Sequence, residues 1–385
     1  MKKRFLGRLL SLCCTLALVF PGQPVRAEGE PQVSAKGAVL MEAGTGRVVW
    51  SQGGEERLSM ASTTKIMTAL LTLEQPGLDE LFTVNPQAIK VEGTSMGLTE
   101  GSQATLRTLA AGMLLASGND AANAAAVRIA GTQADFVIMM NRRAAQLGMK
   151  DTNFETPSGL DGQSHYSTAK DMALLARAAL QNEGFRAICS QSSMKLSYGN
   201  PPADRWLSNH NRLLKEYPGC IGLKTGFTKK SGRCLVSAAE REGITLICVT
   251  LSDPNDWQDH TRLLDWGFER VLPVPEQVEQ LAVPVTGGST ETVIVSTGSS
   301  LEVCALAEEL PRISKTVEVQ PFLYAPVQLG QKVGEVRYFL DGEEYFTAPL
   351  TAQQSVEALE PPEEPGLWEN IWKKICRWFT GIFDT

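Results

Sequence analysis

The chain has 385 residues, of which 43% are hydrophobic and 21% charged. That size and balance exclude a disordered chain and allow two domains, one with a substantial core. The formal net charge of −7 disfavours nucleic acid as a partner, while leaving room for an anionic polymer held at a local basic site.

The first predicted element is an export signal. Lys2, Lys3, Arg4 and Arg8 precede a short apolar run from Leu9 to Phe20, and Val25-Arg26-Ala27 offers small residues at −3 and −1 of a cut before Glu28. A membrane-spanning anchor is the alternative, but the run is short for crossing a bilayer. Without residues 1–27 the chain keeps 31 basic and 43 acidic residues, a formal net of −12. Six cysteines remain after the cut. Cys220 and Cys234 flank a predicted hairpin, compatible with a disulfide or with two buried thiols. Cysteine and histidine spacing gives no zinc site, and neither metal nor cofactor is expected.

Ala38 to Trp50 reads as a hairpin around Ala43-Gly44-Thr45-Gly46. The stretch "ASTTKIMTALL" then opens a helix. Next, "TLRTLAAGMLLASGND" places Leu106, Leu109, Met113 and Leu114 on one face and stops at Gly118. A third helix, "TQADFVIMMNRRAAQLG", has Thr132 as N-cap, Phe136, Met139, Met140 and Leu147 inward, and Gly148 as C-cap. "AKDMALLARAAL" is a fourth. "IGLKTG", "RCLVSAA" and "ITLICVTL" form a meander of short strands, closed by the helix "DHTRLLDWGFER". Strands at both ends with helices between them predict an antiparallel sheet assembled from both ends of the domain. From Leu272 to Val356 short β runs alternate with Gly, Pro and Asp-Gly turns, the texture of a small sandwich.

Residues 357–365 are acidic and proline-rich, a linker composition. In "LWENIWKKICRWFTGIFDT" a helical projection gathers Leu367, Trp368, Ile371, Trp372, Ile375, Cys376, Trp378, Phe379, Ile382 and Phe383 on one half. Lys373, Lys374 and Arg377 take the other half, so the helix is expected to lie in a membrane interface and not to span it. Docking on its own protein is the alternative.

Chemistry concentrates at three places. Ser62 and Lys65 stand three apart on a helix and can touch. A serine needs a base, and a lysine serves only where burial or nearby positive charge lowers its pKa. Ser117-Gly118-Asn119 puts a hydroxyl and an amide at the loop ending the second helix. Lys224-Thr225-Gly226 supplies a second cation, a hydroxyl, and a glycine that lets a substrate backbone approach a strand edge. S-x-x-K, S-x-N and K-T-G in this order are the signature set of penicillin-recognising serine enzymes. No G-x-S-x-G elbow is visible, and His165, His210 and His260 are not needed as bases.

With these motifs the chain resembles the low-molecular-mass penicillin-binding proteins, the serine-type D-alanyl-D-alanine carboxypeptidases of peptidase family S11. The resemblance covers roughly residues 35–350 and includes "ASGNDAANAAAVRIAG", "HYSTAKDMALLARAAL" and "GLKTGFTKKSGRCLVSAA". It implies an α/β fold: a β-lactamase/transpeptidase-like domain (28–271, an antiparallel sheet flanked by helices), a small all-β C-terminal domain (272–356), a linker and an amphipathic tail helix (366–385). It also implies that Ser62 is acylated by the terminal D-Ala-D-Ala of a peptidoglycan stem peptide. Lys65 would be the base, Ser117 a proton relay, and Asn119 would orient Lys65 and the substrate. Lys224 and Thr225 would read the substrate carboxylate. Gly226 would give access, and the N–H groups of Ser62 and Phe227 would form the oxyanion hole. Implied partners are peptidoglycan stem peptides, β-lactams as covalent inhibitors and, through the tail, the outer face of the cytoplasmic membrane. A D,D-endopeptidase, a β-lactamase and a non-catalytic penicillin-binding module remain as alternatives on the same fold. The chain departs from the family pattern at Met60, where proline is frequent, at Phe227, where some members carry histidine, and at His210.

Overall fold

The structure, a computed structural model, describes residues 29–275, 280–298, 303–359 and 366–380. The predicted signal segment and most of the predicted linker lie outside these residues. The first strands, β1 (Gly37–Glu42) and β2 (Arg47–Gln52), form the expected hairpin. A 3-10 turn, Ala61–Thr64, leads into α1 (Lys65–Leu73). Short strands β3 (Phe82–Thr83) and β4 (Gln103–Ala104) precede the helices α2 (Leu106–Leu114), α3 (Asn119–Ala130), α4 (Gln133–Gln146), α5 (Ala169–Gln181) and α6 (Glu183–Cys189). The hairpin β5 (Ser193–Gly199) and β6 (Pro202–Ser208), the single turn α7 (Leu213–Glu216), the meander β7 (Cys220–Thr228), β8 (Gly232–Arg241), β9 (Ile244–Leu251) and the helix α8 (Asp256–Arg270) follow.

The central sheet runs β2-β1-β9-β8-β7, antiparallel throughout, so the two ends of the domain do meet at the β1–β9 seam. Its inner strands are apolar on both faces because both faces are covered. Val39, Met41, Val236, Ala238, Ile247 and Val249 join the core shared with α1–α5. Ala38, Leu40, Leu235, Ala239, Leu246 and Cys248 pack on α8. Caps begin the helices where the sequence offers hydroxyls: Thr105, Thr132 and Thr168 each accept from a backbone N–H three residues on. The alanines of α3 are almost all buried, and such small side chains let neighbouring helices approach closely.

The β5–β6 hairpin was not anticipated, although Met194, Leu196 and Tyr198 alternate inward with period two. The disulfide option fails. The β7–β8 register pairs Cys220 with Ala239 and Cys234 with Gly226, putting the two thiols at opposite ends of the ladder.

The C-terminal region is all-β. β10 (Val271–Pro273) pairs with β13 (Cys304–Leu306). β11 (Gln280–Thr286), β12 (Thr292–Ser296), β14 (Ile313–Val319), β15 (Leu323–Tyr324), β16 (Lys332–Leu340) and β17 (Glu343–Ala352) form one sheet in the order β14-β16-β17-β12-β11-β15. The strands are hydrogen-bonded in one continuous order beside the separate β10–β13 pair, and they share a valine-rich core that includes Val283, Val293, Val295 and Val336. The tail forms α9 (Leu367–Thr380), with Trp368 and Trp372 largely exposed. Among the described residues no helix is long and apolar enough to cross a membrane.

Candidate active site

The 3-10 turn that carries Ser62 is held under strain. Ala61 adopts φ +48°, a left-handed conformation unfavourable to a residue with a Cβ. The Thr63 N–H and hydroxyl both donate to Met60 O. Gly159 presses on the other side: a Cβ there would stand 2.1 Å from Ala61 O. Ser62 is consequently raised to the surface, half-buried, while Lys65 one turn on is fully buried.

Lys65 Nζ lies 3.0 Å from Ser62 Oγ, 2.7 Å from Asn119 Oδ1 and 2.5 Å from Ser158 O. Burial drives its pKa well below the usual lysine range. The charge of Lys224 adds to this and Asp120 opposes it. Asn119, the first residue of α3, is fixed in orientation because its Nδ2 donates to Glu92 O at 2.7 Å. The carboxylate of Asp120 accepts from the N–H groups of Met96, Gly97 and Leu98 and from Ser95 Oγ, pinning the 92–98 loop beside the site. Ser117 is buried at φ +58°, and its carbonyl accepts from Thr94 Oγ1 at 2.6 Å.

Strand β7 forms the opposite wall. Gly226 faces the turn, and a Cβ there would come within 3.1 Å of Ser62 N, Thr63 N and Met60 O. Lys224 is 1% exposed. Burial brings its pKa down to about 7, and its Nζ donates to Thr225 O at 2.8 Å. Phe227 projects outward, 66% exposed.

These walls enclose a cleft of about 390 Å³. Ser62, Ser117, Asn119, Thr225, Gly226 and Phe227 line it. Lys65 and Lys224 stand behind this lining, buried. All eight residues singled out in the sequence are therefore brought to one place.

The sequence reading missed three features. Ser158 O is the third acceptor of Lys65, and Gly159 is the spacer against Ala61. Arg233, opposite Phe227 in the ladder, also lines the cleft. Its guanidinium donates to buried Asp256 through Nε (3.0 Å), lies 2.9 Å from it through Nη2, and sits 5.6 Å from the Trp257 ring. "SGRC" gives no local sign of this, whereas the glycine of "PSGLDG" could have been read as a close approach.

The histidines take other roles. His165 accepts from Glu155 N–H at Nδ1, which leaves Nε2–H to donate to Thr64 Oγ1 at 2.8 Å; burial lowers its pKa to about 4. His260 is held between Ser237 and Thr250, its pKa lowered by burial to about 3. His210 lines the cleft, and burial and then Lys224 lower its pKa.

Comparison with known proteins points the same way. The sequence model described as D-alanyl-D-alanine carboxypeptidase matches residues 24–255, and that of the penicillin-binding protein 5 C-terminal domain matches 268–358. D-alanyl-D-alanine carboxypeptidase DacF of Bacillus subtilis is 32% identical over 372 residues, covering 92% of this chain and 95% of its own. DacC of Escherichia coli is 31% identical, with 92% of each chain covered. The crystal structure of penicillin binding protein 5 from Haemophilus influenzae superposes with a TM-score of 0.64 at 28% identity, covering 85% of this chain and 98% of that one.

Proposed function

Because the chain belongs to the D-alanyl-D-alanine carboxypeptidase family, we propose that its cleft releases the terminal D-alanine of peptidoglycan stem peptides through an acyl-enzyme on Ser62. The reaction class follows from the membership: this is a serine-type carboxypeptidase, a penicillin-binding hydrolase of the cell wall. The relatives named above carry the carboxypeptidase name, and neither the β-lactamase nor the non-catalytic reading has a counterpart among them.

The observation that carries the residue assignment is the buried Lys65 amine 3.0 Å from Ser62 Oγ. Neutral Lys65 has two N–H groups and a lone pair. The N–H groups go to Asn119 Oδ1 and Ser158 O, leaving the lone pair for the Ser62 proton. Ser62 Oγ attacks the carbonyl of the penultimate D-alanine, and the backbone N–H groups of Ser62 and Phe227 receive the oxyanion. The proton passes from Lys65, with Ser117 as relay, to the leaving amine, and D-alanine departs. Water then gives its proton to Lys65, attacks the ester and restores Ser62. In a β-lactam the same attack opens the ring, but the leaving amine stays tethered and obstructs the water.

The substrate keeps a free carboxylate one residue beyond the scissile bond. We assign its recognition to Thr225 and, in place of Lys224, to the guanidinium of Arg233, since both line the cleft. Lys224 supports from behind, holding down the pKa of Lys65 by its charge.

We place the mature enzyme outside the cytoplasmic membrane, on the strength of the signal segment and the tail. The same reading sets the catalytic domain at 28–271 and the β domain at 272–356. Removing residues 366–385 is expected to release the protein from membranes.

The test of the chemistry is D-alanine release from a peptide ending in D-Ala-D-Ala, for wild type and Ser62→Ala side by side. Release by the wild type alone is expected. Release by both would move the nucleophile elsewhere, and release by neither would leave a penicillin-binding fold without turnover.

A further inference from the structure

Four apolar side chains stand exposed where the chain leaves the β domain: Phe322 (46%), Tyr324 (70%), Leu329 (66%) and Leu359 (62%). Hydrogen bonds tie their segments into one cluster. β15 runs parallel to β11 and pairs Tyr324 with Thr286. The next residue, Gly287, accepts from Leu359 N–H at 2.8 Å. Leu329 N–H donates to Ser355 Oγ at 3.0 Å, and Val327 and Val356 exchange both backbone bonds. The Phe322 and Tyr324 rings meet edge to face at 5.4 Å. These side chains are thus presented on fixed backbone and do not trail from a loose loop.

Composition narrows the partner. The segment from Gln320 to Gln331, "QPFLYAPVQLGQ", has no charged residue in a chain of net −7. Exposed Glu291 and Glu357 lie on segments adjoining it, bonded through backbone to Val285 and Ser289, so an uncharged apolar partner suits it better than an acidic one. Aromatic and aliphatic side chains projecting singly from rigid loops suit the headgroup–acyl boundary of a bilayer. Chain length adds the location. Only residues 360–365 separate Leu359 from Gly366, the residue just before the tail helix, and an extended chain of that length reaches at most about 25 Å.

We propose that Phe322, Tyr324, Leu329 and Leu359 form a second membrane-contact surface, dipping into the bilayer beside the tail helix. The inference rests on the membrane reading of the tail. The tail helix alone would tether the enzyme loosely. A second contact on the β domain fixes how that domain stands on the lipid.

The test measures partition of the full mature chain onto vesicles of phosphatidylethanolamine mixed with phosphatidylglycerol, at low and high salt. The comparison is between wild type, Tyr324→Ser/Leu329→Ser, and a chain lacking 366–385. D-alanine release from a soluble peptide and a thermal melt check that each variant is folded. The Tyr324→Ser/Leu329→Ser chain, altered at this rim of exposed side chains and called the rim variant, is expected to bind about tenfold more weakly at both salt levels, because the rim's contribution is apolar and unscreened. Binding by the rim variant equal to wild type, with release of the truncated chain, overturns the rim and leaves the tail reading standing. Unchanged binding by the truncated chain overturns the tail reading, and release of the rim variant in that case supports the rim alone. A rim variant that loses a lipid-free dimer while keeping wild-type vesicle binding assigns the rim to a second copy and overturns the proposal.

Discussion

Lys65 and Lys224 are two buried lysines facing one cleft, and they cannot both be its anion site. Lys65 acts as a base only when neutral, and burial together with the Lys224 charge favours that state. Lys224, with its pKa near 7, loses its charge as pH rises through neutrality. A guanidinium carries its charge across that whole range, and Arg233 presents one to the cleft. The two assignments therefore differ in pH dependence. If Arg233 reads the substrate carboxylate, KM stays flat from below to above neutrality; if Lys224 reads it, KM climbs above pH 7. Activity itself should fall as acid protonates Lys65, an effect on kcat. Arg233→Leu is expected to raise KM by about tenfold or more, the worth of a charge-assisted hydrogen bond. Arg233→Lys, which keeps Asp256 paired, should recover part of it. A wild-type KM that climbs above pH 7 and an Arg233→Leu enzyme with unchanged KM would return the role to Lys224.

At the scale of elements, the site is a junction of three backbones: the 3-10 turn, the 158–160 loop and β7. Gly159 sits at φ +83°, with space for a Cβ denied by Ala61 O itself. Backbone cannot rotate away as a side chain can. Gly159→Ala should therefore displace the turn that carries Ser62 and lower kcat/KM by about 100-fold, the usual cost of a misplacement near 1 Å. Gly148, at φ +76° with nothing within 4 Å of its Cβ direction, is the control. Gly148→Ala carries only conformational strain of about 1 kcal/mol, so Tm should fall by a few degrees with activity intact. Equal loss of activity in both variants would mean that fold stability, not the position of the turn, is what Gly159 protects.

The same contrast explains what the sequence could reveal. Ser62–Lys65 was legible because a helix makes neighbours of residues three apart, and Thr132 because a cap acts three residues along. The antiparallel sheet assembled from both ends of the domain was legible because short β runs stand on either side of the helical stretch in the sequence. Ser158 O was not legible, because a carbonyl has no identity in a sequence. The partner of Arg233 is 23 residues away on α8, and the loop over Asn119 is held by main-chain N–H groups reaching Asp120. The cysteine pair stayed open between a disulfide and two thiols because spacing around a hairpin says nothing of register.

The whole molecule raises the question of how the two domains are held together. α8 ends at Arg270 and β10 begins at Val271, pairing at once with β13. Away from that seam, Arg47 on β2 grips Glu309 with both terminal guanidinium nitrogens and lies over the Tyr345 ring at 5.0 Å. Glu309 is 6% exposed and also accepts from Leu306 N–H at 3.1 Å. Burial is the largest single influence and raises its pKa, but the Arg47 hydrogen bonds and charge, the Leu306 N–H and the Arg312 charge together outweigh it and hold it below the usual glutamate value. A carboxylate with a lowered folded pKa adds stability that is present above its unfolded value and lost as pH falls through the folded one. The clamp should thus hold at neutral pH and fail below the ordinary glutamate range. Arg47→Ala leaves a mostly buried carboxylate without its cation, at a cost of about 1–3 kcal/mol. That cost falls on the junction and not on the cleft, because none of the cleft-lining residues touches Arg47. Thermal scans of Arg47→Ala at neutral pH should therefore separate into two transitions where the wild type shows one, with D-alanine release from a soluble peptide unchanged. The wild type should show the same separation only in acid. A single transition in the variant at every pH would place the coupling in the β10–β13 seam alone.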